Sequence, residues 1–197
     1  NIIDQKIKSE ETKNAFLKQT TITHFYRKSS CNINKNTFDT FFNLSSNDGD
    51  KKIVQLLLND NKALQKNKVV KPFLITDLNN AKHSIEKVLK GENTFLLFWN
   101  PEYISKRYIS SRVDYLSSNF PGVQFIQIKI DGDLNTRIDD LDIKNQYFID
   151  STSTSNLFLT SKMPRSVLIN KKGIITNGYA SITSRNILKQ LKDLEKN

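Results

Sequence analysis

The sequence is poor in the residue types on which many redox and metal sites depend. Among its 197 residues there is one cysteine, Cys31, so no disulfide bond can form within the chain. Its two histidines, His24 and His83, argue against a zinc site, and we expect no bound metal. No apolar run approaches the roughly 20 residues of a membrane span, and no signal peptide is visible at the start.

The charge of the chain is strongly positive. Thirty Lys and Arg residues against 20 Asp and Glu give a formal net charge of +10, which favours a nucleic-acid partner or a membrane surface. The lysines are scattered along the sequence without forming a block, however, and we find no RNA-recognition motif and no zinc-finger spacing. We therefore predict a solvated basic surface and no nucleic-acid partner.

The first third of the chain, residues 1–66, is predicted to be a helical region. Apolar residues recur there at helical spacing with charged residues between them. The asparagine-rich segments CNINKN and SSNDGD are predicted turns between helices, and Thr37 is a candidate N-cap of the second helix. Cys31 lies in the first of these turns, where we expect an incidental or structural thiol.

Residues 67–197 predict an α/β domain. The run TFLLFW is continuously apolar, which is typical of a central strand buried on both faces. An amphipathic helix follows from about Glu102, and VQFIQIKI is a second strand. PRSVLIN and IITNGYA form a hairpin around KKG, and the last amphipathic segment is a helix. This order predicts a mixed central sheet with helices on both faces.

Two segments of this domain carry a resemblance to a known superfamily. KPFLITDLNNAKHSIEKVLKGENTFLLFWN and MPRSVLINKKGIITN resemble parts of the thioredoxin-like superfamily, in particular the TlpA/ResA-like thiol–disulfide oxidoreductases of the bacterial cell envelope. The resemblance covers about Val69–Lys196 and puts Pro164 in the cis-proline position. It implies a thioredoxin-like fold preceded by an N-terminal helical region. It also implies a location in the bacterial periplasm or outer cell envelope, and it leaves open a lipid anchor upstream of Asn1.

The chemistry of that family is missing from the matching turn. The family has a Cys-x-x-Cys motif between the strand and the helix, where the helix N-terminus stabilises a thiolate. In one register the two cysteine positions are Asn100 and Tyr103, and in a longer-turn register they are Tyr103 and Lys106. Neither register contains sulfur, and thiol–disulfide exchange requires a thiolate. We therefore predict a redox-inactive protein with no cofactor, and we lean against an enzyme.

The resemblance also indicates where a partner would bind. Tyr103 is the best recognition candidate, whereas Trp99 is expected to support the core. Met163 precedes Pro164 and would present its main chain to a peptide as an added strand; a purely structural role for Pro164 stays open. The candidate groove contains seven residues: Trp99, Asn100, Glu102, Tyr103, Lys106, Met163 and Pro164.

These inferences favour a non-redox, thioredoxin-like cell-envelope protein that binds or scaffolds a protein or peptide. Two alternatives remain. The chain could be an enzyme related to thiol–disulfide oxidoreductases, with residual or atypical activity that uses Cys31 or an unrecognised set of residues. It could also be a scaffold that supports the N-terminal helices within a larger assembly. Neither histidine belongs to a recognisable catalytic motif.

Overall fold

A computed structural model describes residue 3 and residues 6–28, 35–89, 91–130, 137–149, 152–157 and 163–196. The chain divides into two compact units, Asn1–Lys62 and Ala63–Asn197. The boundary predicted after residue 66 lies further along the chain than this division, because Ala63 and Leu64 pack in the apolar core of the second unit. Cys31 lies outside the described residues.

The first unit is built from helices. Its described elements are α1 (Glu10–Lys28), α2 (Lys35–Leu44) and α3 (Asp48–Ala63). The last residue of α3, Ala63, belongs to the second unit. Phe25, Phe38 and Phe41 are fully buried. The N-cap predicted at Thr37 is wrong, because α2 already begins at Lys35 and Thr37 lies inside it.

In the second unit the described residues form one seven-stranded mixed sheet. Its strand order is β2-β1-β5-β4-β3-β6-β7, with β3, β4 and β5 parallel to one another and the other pairs antiparallel. The strands are β1 (Leu74–Asp77), β2 (Lys82–Ser84), β3 (Thr94–Trp99), β4 (Gln124–Lys129), β5 (Gln146–Phe148), β6 (Arg165–Ile169) and β7 (Ile175–Ala180). The helices of this unit are α4 (Ile85–Leu89), α5 (Lys106–Asn119) and α6 (Ile187–Glu195).

The central strand β3 is buried on both faces, as its apolar run predicts. Phe95, Leu97 and Trp99 pack on the face covered by α5 and α6. Leu96 and Phe98 alternate with them and pack on the other face, with the residues of α4. The predicted mixed sheet with helices on both faces, preceded by a helical region, is therefore confirmed.

Candidate binding site at the strand-to-helix turn

Strand β3 ends at Trp99, and a hydrogen-bonded turn joins it to helix α5. The side-chain carbonyl oxygen of Asn100 accepts from the Glu102 N–H at 2.8 Å. Its main-chain carbonyl oxygen accepts from the N–H groups of Tyr103 and Ile104 at 3.0 and 3.2 Å. Because Asn100 closes the turn with both carbonyl groups, the turn holds its backbone in place. Tyr103 is 62% exposed on it.

Helix α5 begins later than the sequence predicts. The Ser105 hydroxyl oxygen accepts from the Tyr108 N–H at 3.3 Å and caps the helix, so the first helical residue is Lys106. The prediction of a helix from about Glu102 is therefore wrong, and Glu102 is an exposed residue of the preceding turn. Lys106 takes the first helical position, where its positive charge meets the positive end of the helix dipole.

The segment before strand β6 lies beside this turn. Phe98 pairs with Arg165 in antiparallel register, so Trp99 and Pro164 lie next to this pair at the same end of the sheet. The Met163–Pro164 peptide bond is cis. Met163 is 8% exposed and packs in the core on the Phe98 face, whereas Trp99 is 2% exposed and packs on the opposite face. The side chains of Met163 and Trp99 thus belong mainly to the core.

Two buried cations lie beside the end of the central strand. Lys129, the last residue of β4, pairs with Trp99 and is 2% exposed. Arg165 is 3% exposed; its Nε donates to the Gly178 carbonyl oxygen at 2.9 Å, and its guanidinium lies 4.1 Å from the centre of the Tyr179 ring. These contacts give Arg165 a structural role between β6 and β7. Neither cation was predicted as a feature of the site, although a charged residue within an apolar strand is a visible signal.

A charged loop lies against helix α5. The Ser110 hydroxyl donates to Asp140 at 3.4 Å, and the Arg137 Nε donates to Asp139 at 2.9 Å. The hydrogen bond from Arg137 lowers the pKa of the Asp139 carboxyl, and the nearby charge of Lys106 acts in the same direction. Asp139 is therefore ionised at neutral pH, and the surface around the start of α5 carries both signs of charge.

Other site types are not found in the described part of the chain. No three His, Cys, Asp or Glu side chains come together there to hold a metal ion, and no helix there is long and apolar enough to cross a bilayer. A groove of about 590 Å³ lies elsewhere, with Gly122, Gln127 and Lys171 in its lining. None of the seven predicted groove residues lines it.

Solved structures of other proteins align with about two thirds of this chain over nearly their whole length. One, assigned as a thiol–disulfide oxidoreductase, comes from Bacteroides vulgatus (TM-score 0.54, 17% identity, 66% of this chain and 97% of that chain). Another, assigned as the thiol:disulfide interchange protein DsbE, comes from Chlorobium tepidum (TM-score 0.53, 14% identity, 67% and 99%). A third, a domain assigned to a thiol–disulfide isomerase, comes from Cytophaga hutchinsonii (TM-score 0.55, 16% identity, 68% and 95%). The fold is thioredoxin-like.

Structural similarity at such low sequence identity establishes the fold and leaves the activity open. No protein-family model matches the sequence, and no curated protein matches it either. The predicted thioredoxin-like fold is nevertheless confirmed. The binding role of the seven groove residues stays a prediction.

The thioredoxin-like sheet brings the two predicted segments, residues 99–106 and 163–164, to the same end of β3 and β6. Glu102, Tyr103 and Lys106 are exposed there. Two further tyrosines on helix α5, Tyr108 and Tyr115, are 42% and 47% exposed and were not predicted as site residues. Their signal was visible, because both lie off the apolar stripe of an amphipathic helix.

Proposed function

We propose that this chain is a redox-inactive thioredoxin-like protein of the bacterial cell envelope, which binds a protein or peptide without a covalent step. One observation carries the proposal. The turn in which the resembling family has its two thiols contains Asn100, Tyr103 and Lys106 at the matching positions, and Tyr103 is 62% exposed. Thiol–disulfide exchange needs a thiolate at this turn, whereas an exposed phenol ring suits recognition, because tyrosines are enriched among the residues that dominate interface energies.

The turn supports recognition because its backbone is already ordered in the free protein. The hydrogen bonds of Asn100 and the Ser105 cap fix the backbone on both sides of Tyr103. A residue held in this way loses less conformational entropy when a partner binds. The cost of association is therefore lower than it is for a flexible loop with the same aromatic side chain.

Helix α5 extends the proposed surface. Tyr108 and Tyr115 are seven residues apart, which places them on the same helical face two turns from one another. The Arg112 guanidinium lies 5.3 Å from the centre of the Tyr115 ring, and its Nε donates to the Ile182 carbonyl oxygen at 3.1 Å. Tyrosine and arginine are both enriched at binding hot spots. We name the surface formed by Tyr103, Tyr108 and Tyr115 the tyrosine face.

The segment before β6 supplies the second proposed contact. Since the Met163 side chain is buried, its main chain would meet an extended peptide as an added strand. The location in the periplasm or outer envelope, and a partner in the same compartment, are supported by the resemblance to the TlpA/ResA-like proteins. A scaffold role for the thioredoxin-like domain is the variant of this proposal in which the partner is held permanently.

A binding experiment with matched variants tests the proposal. The full chain is used to isolate a partner from envelope extracts, and affinity for the purified partner is then measured by calorimetry. We expect Tyr103→Ala to weaken binding by about 30-fold, as truncation of a hot-spot residue costs about 2 kcal/mol. Ile143→Ala, which removes another exposed side chain, should bind as the wild type does. A Tyr26→Ala variant examines helix α1 in the same way.

Two results would contradict the proposal. Binding that survives Tyr103→Ala but is lost in Tyr26→Ala would assign recognition to the N-terminal helices. Catalysed reduction of insulin disulfides by the wild-type chain, abolished by Cys31→Ser, would instead show an atypical redox enzyme. We expect that neither the wild type nor Cys31→Ser catalyses the reduction of insulin disulfides.

A further inference from the structure

A short edge segment, residues 66–71, pairs with the beginning of β7 and the turn before it. The Asn67 N–H donates to the Ile175 carbonyl oxygen at 2.8 Å, and the Ile175 N–H donates to the Lys68 carbonyl oxygen at 2.8 Å. The Val70 N–H donates to the Gly173 carbonyl oxygen at 3.2 Å. This antiparallel pairing places the segment alongside the turn that joins β6 to β7. Residues separated by about a hundred positions in the sequence thus become neighbours.

The pairing gathers lysines that look scattered in the sequence. Three lysines come from the edge segment and two from the β6–β7 turn, and all five are exposed. We name this group the lysine rim: Lys66, Lys68, Lys71, Lys171 and Lys172. The neighbouring turn adds one exposed carboxylate, Glu92, so cations outnumber anions here. In a sheet geometry, side chains on paired strands lie close enough for their fields to add.

The lysine rim lies at the end of β3 opposite the turn that carries Tyr103. The Lys171 N–H donates to the Asn93 side-chain oxygen at 3.0 Å, and Asn93 directly precedes the first residue of β3. Tyr103 follows the last residue of the same strand, Trp99. A strand of this length spans about 20 Å, so a surface that contacts the rim leaves the Tyr103 turn at the other end of the strand.

The composition of the rim distinguishes a membrane surface from a nucleic acid. Val69 lies between the lysines of the edge segment and is 63% exposed, which fits shallow contact with the apolar boundary of a bilayer. Residues 65–71 contain no aromatic side chain on which a base could stack, and such stacking is a usual part of single-strand binding.

We propose that the lysine rim binds an anionic lipid surface and orients the thioredoxin-like domain with its Tyr103 turn away from the bilayer. Near a negatively charged surface each lysine contributes about a fivefold gain in partitioning, and this attraction decays within a Debye length. Binding to the lipid needs no partner protein, so it can fail or succeed independently of the function proposed above.

Vesicle co-sedimentation of the full chain tests the inference. Vesicles of phosphatidylcholine with about one third phosphatidylglycerol are compared with vesicles of phosphatidylcholine alone, at low and high salt. We expect binding to the anionic vesicles only, with loss at high salt. The triple variant Lys68→Gln, Lys71→Gln, Lys172→Gln should lower partitioning by about 100-fold, at the fivefold contribution of each lysine.

The matched control removes three exposed cations from elsewhere on the same unit: Arg107→Gln, Arg185→Gln and Lys189→Gln. It should retain wild-type partitioning within a few-fold, and circular dichroism of both triple variants should match that of the wild type. Equal losses in the two triple variants would show attraction by net charge alone and overturn the proposal. So would the absence of binding to anionic vesicles at low salt. A rim-dependent affinity for a single-stranded oligonucleotide without vesicle binding would assign the rim to nucleic acid instead.

Discussion

Gly178 of strand β7 lies directly against the main-chain carbonyl oxygen of Leu64, and a Cβ atom at position 178 would overlap it. Leu64 is itself 3% exposed and packs in the core of the same unit. We predict that Gly178→Ala lowers the free energy of unfolding by about 3 kcal/mol, because main chain must move to admit one methyl group. Urea denaturation monitored by Trp99 fluorescence measures the change.

Gly173 provides the control for this substitution. It has a positive φ of 74°, and a Cβ atom there would meet nothing within 4 Å. Gly173→Ala should therefore cost only about 1 kcal/mol, which is the penalty of a side chain in the left-handed region. If both variants lose the same stability, the close approach of Leu64 is not what requires glycine at position 178.

A buried asparagine joins helix α1 to the turn between α2 and α3. The Asn14 side-chain oxygen accepts from the Ser45 hydroxyl and from the Ser46 N–H, both at 3.0 Å, and its Nδ2 donates to the Ser46 hydroxyl at 2.9 Å. We predict that Asn14→Ala destabilises the helical unit by about 2 kcal/mol, because it leaves buried polar groups without partners. Limited proteolysis of residues 1–62 should become faster.

Glu11→Ala is the matched control on the same helix, since Glu11 is exposed. Its proteolysis rate should stay near that of the wild type. An Asn14→Ala variant that is cut no faster than Glu11→Ala would show that the asparagine network contributes little to holding the helices together.

The order of the strands and helices was predictable because several of them have a clear apolar pattern in the sequence. TFLLFW matches β3 (Thr94–Trp99) to the residue, since a strand buried on both faces must be apolar throughout. Strand β2 (Lys82–Ser84) was missed, because three polar residues carry no pattern and adopt a strand through pairing with β1. Only the second half of the predicted turn SSNDGD is helical, since the Asn47 side chain accepts from the Asp50 N–H at 3.0 Å and α3 begins at Asp48.

The two candidate sites differ in how far the sequence alone could predict them. The strand-to-helix turn could be located from its flanking motifs, and Tyr103 could be proposed as exposed, because both depend on neighbouring residues. The lysine rim could not, because Lys68 and Lys172 become neighbours only through the pairing of the edge segment with β7. The burial of Arg165 likewise depends on Tyr179, which reaches it from the next strand.

A carboxylate at the β1–β2 turn makes part of the stability depend on pH. Asp77 Oδ2 lies 2.8 Å from His83 Nε2, and Asp77 Oδ1 accepts from the N–H groups of Asn79 and Ala81 at 2.9 Å each. Burial raises the pKa of Asp77, but the hydrogen bonds from His83 and the two main-chain groups together lower it below its ordinary value. A carboxyl whose pKa is lower in the folded state stabilises above its unfolded pKa, and the contribution is lost as pH falls through the folded pKa.

We therefore predict that the free energy of unfolding falls more steeply below about pH 5 in the wild type than in Asp77→Asn. Asparagine retains an oxygen for Asn79 and Ala81, so this variant removes the charge and keeps the turn. Asp77→Ala removes both the charge and the oxygen that accepts from Asn79 and Ala81, and it should lower the free energy of unfolding by about 2 kcal/mol at neutral pH. Denaturation curves at several pH values measure the slopes. Parallel slopes for the wild type and Asp77→Asn would show that Asp77 contributes no acid sensitivity.

Introducing two cysteines would test whether the geometry of the turn still supports thiol–disulfide exchange. Tyr103 and Lys106 have the Cys-x-x-Cys spacing in the longer-turn register, and Lys106 is the first residue of helix α5. Since α5 begins at Lys106, a thiolate at position 103 would lie near the positive end of the helix dipole.

We predict that Tyr103→Cys with Lys106→Cys, made in a Cys31→Ser background, catalyses insulin reduction by dithiothreitol. The register control, Asn100→Cys with Tyr103→Cys, places its first thiol farther from the helix N-terminus and should be at least about tenfold slower, since a pKa change of one unit alters the thiolate fraction by that factor. The pH dependence of iodoacetamide labelling gives the pKa of each first thiol. If the 103/106 pair forms its disulfide yet does not accelerate insulin reduction, the turn lacks the partner-binding geometry that a thiol–disulfide exchange site needs.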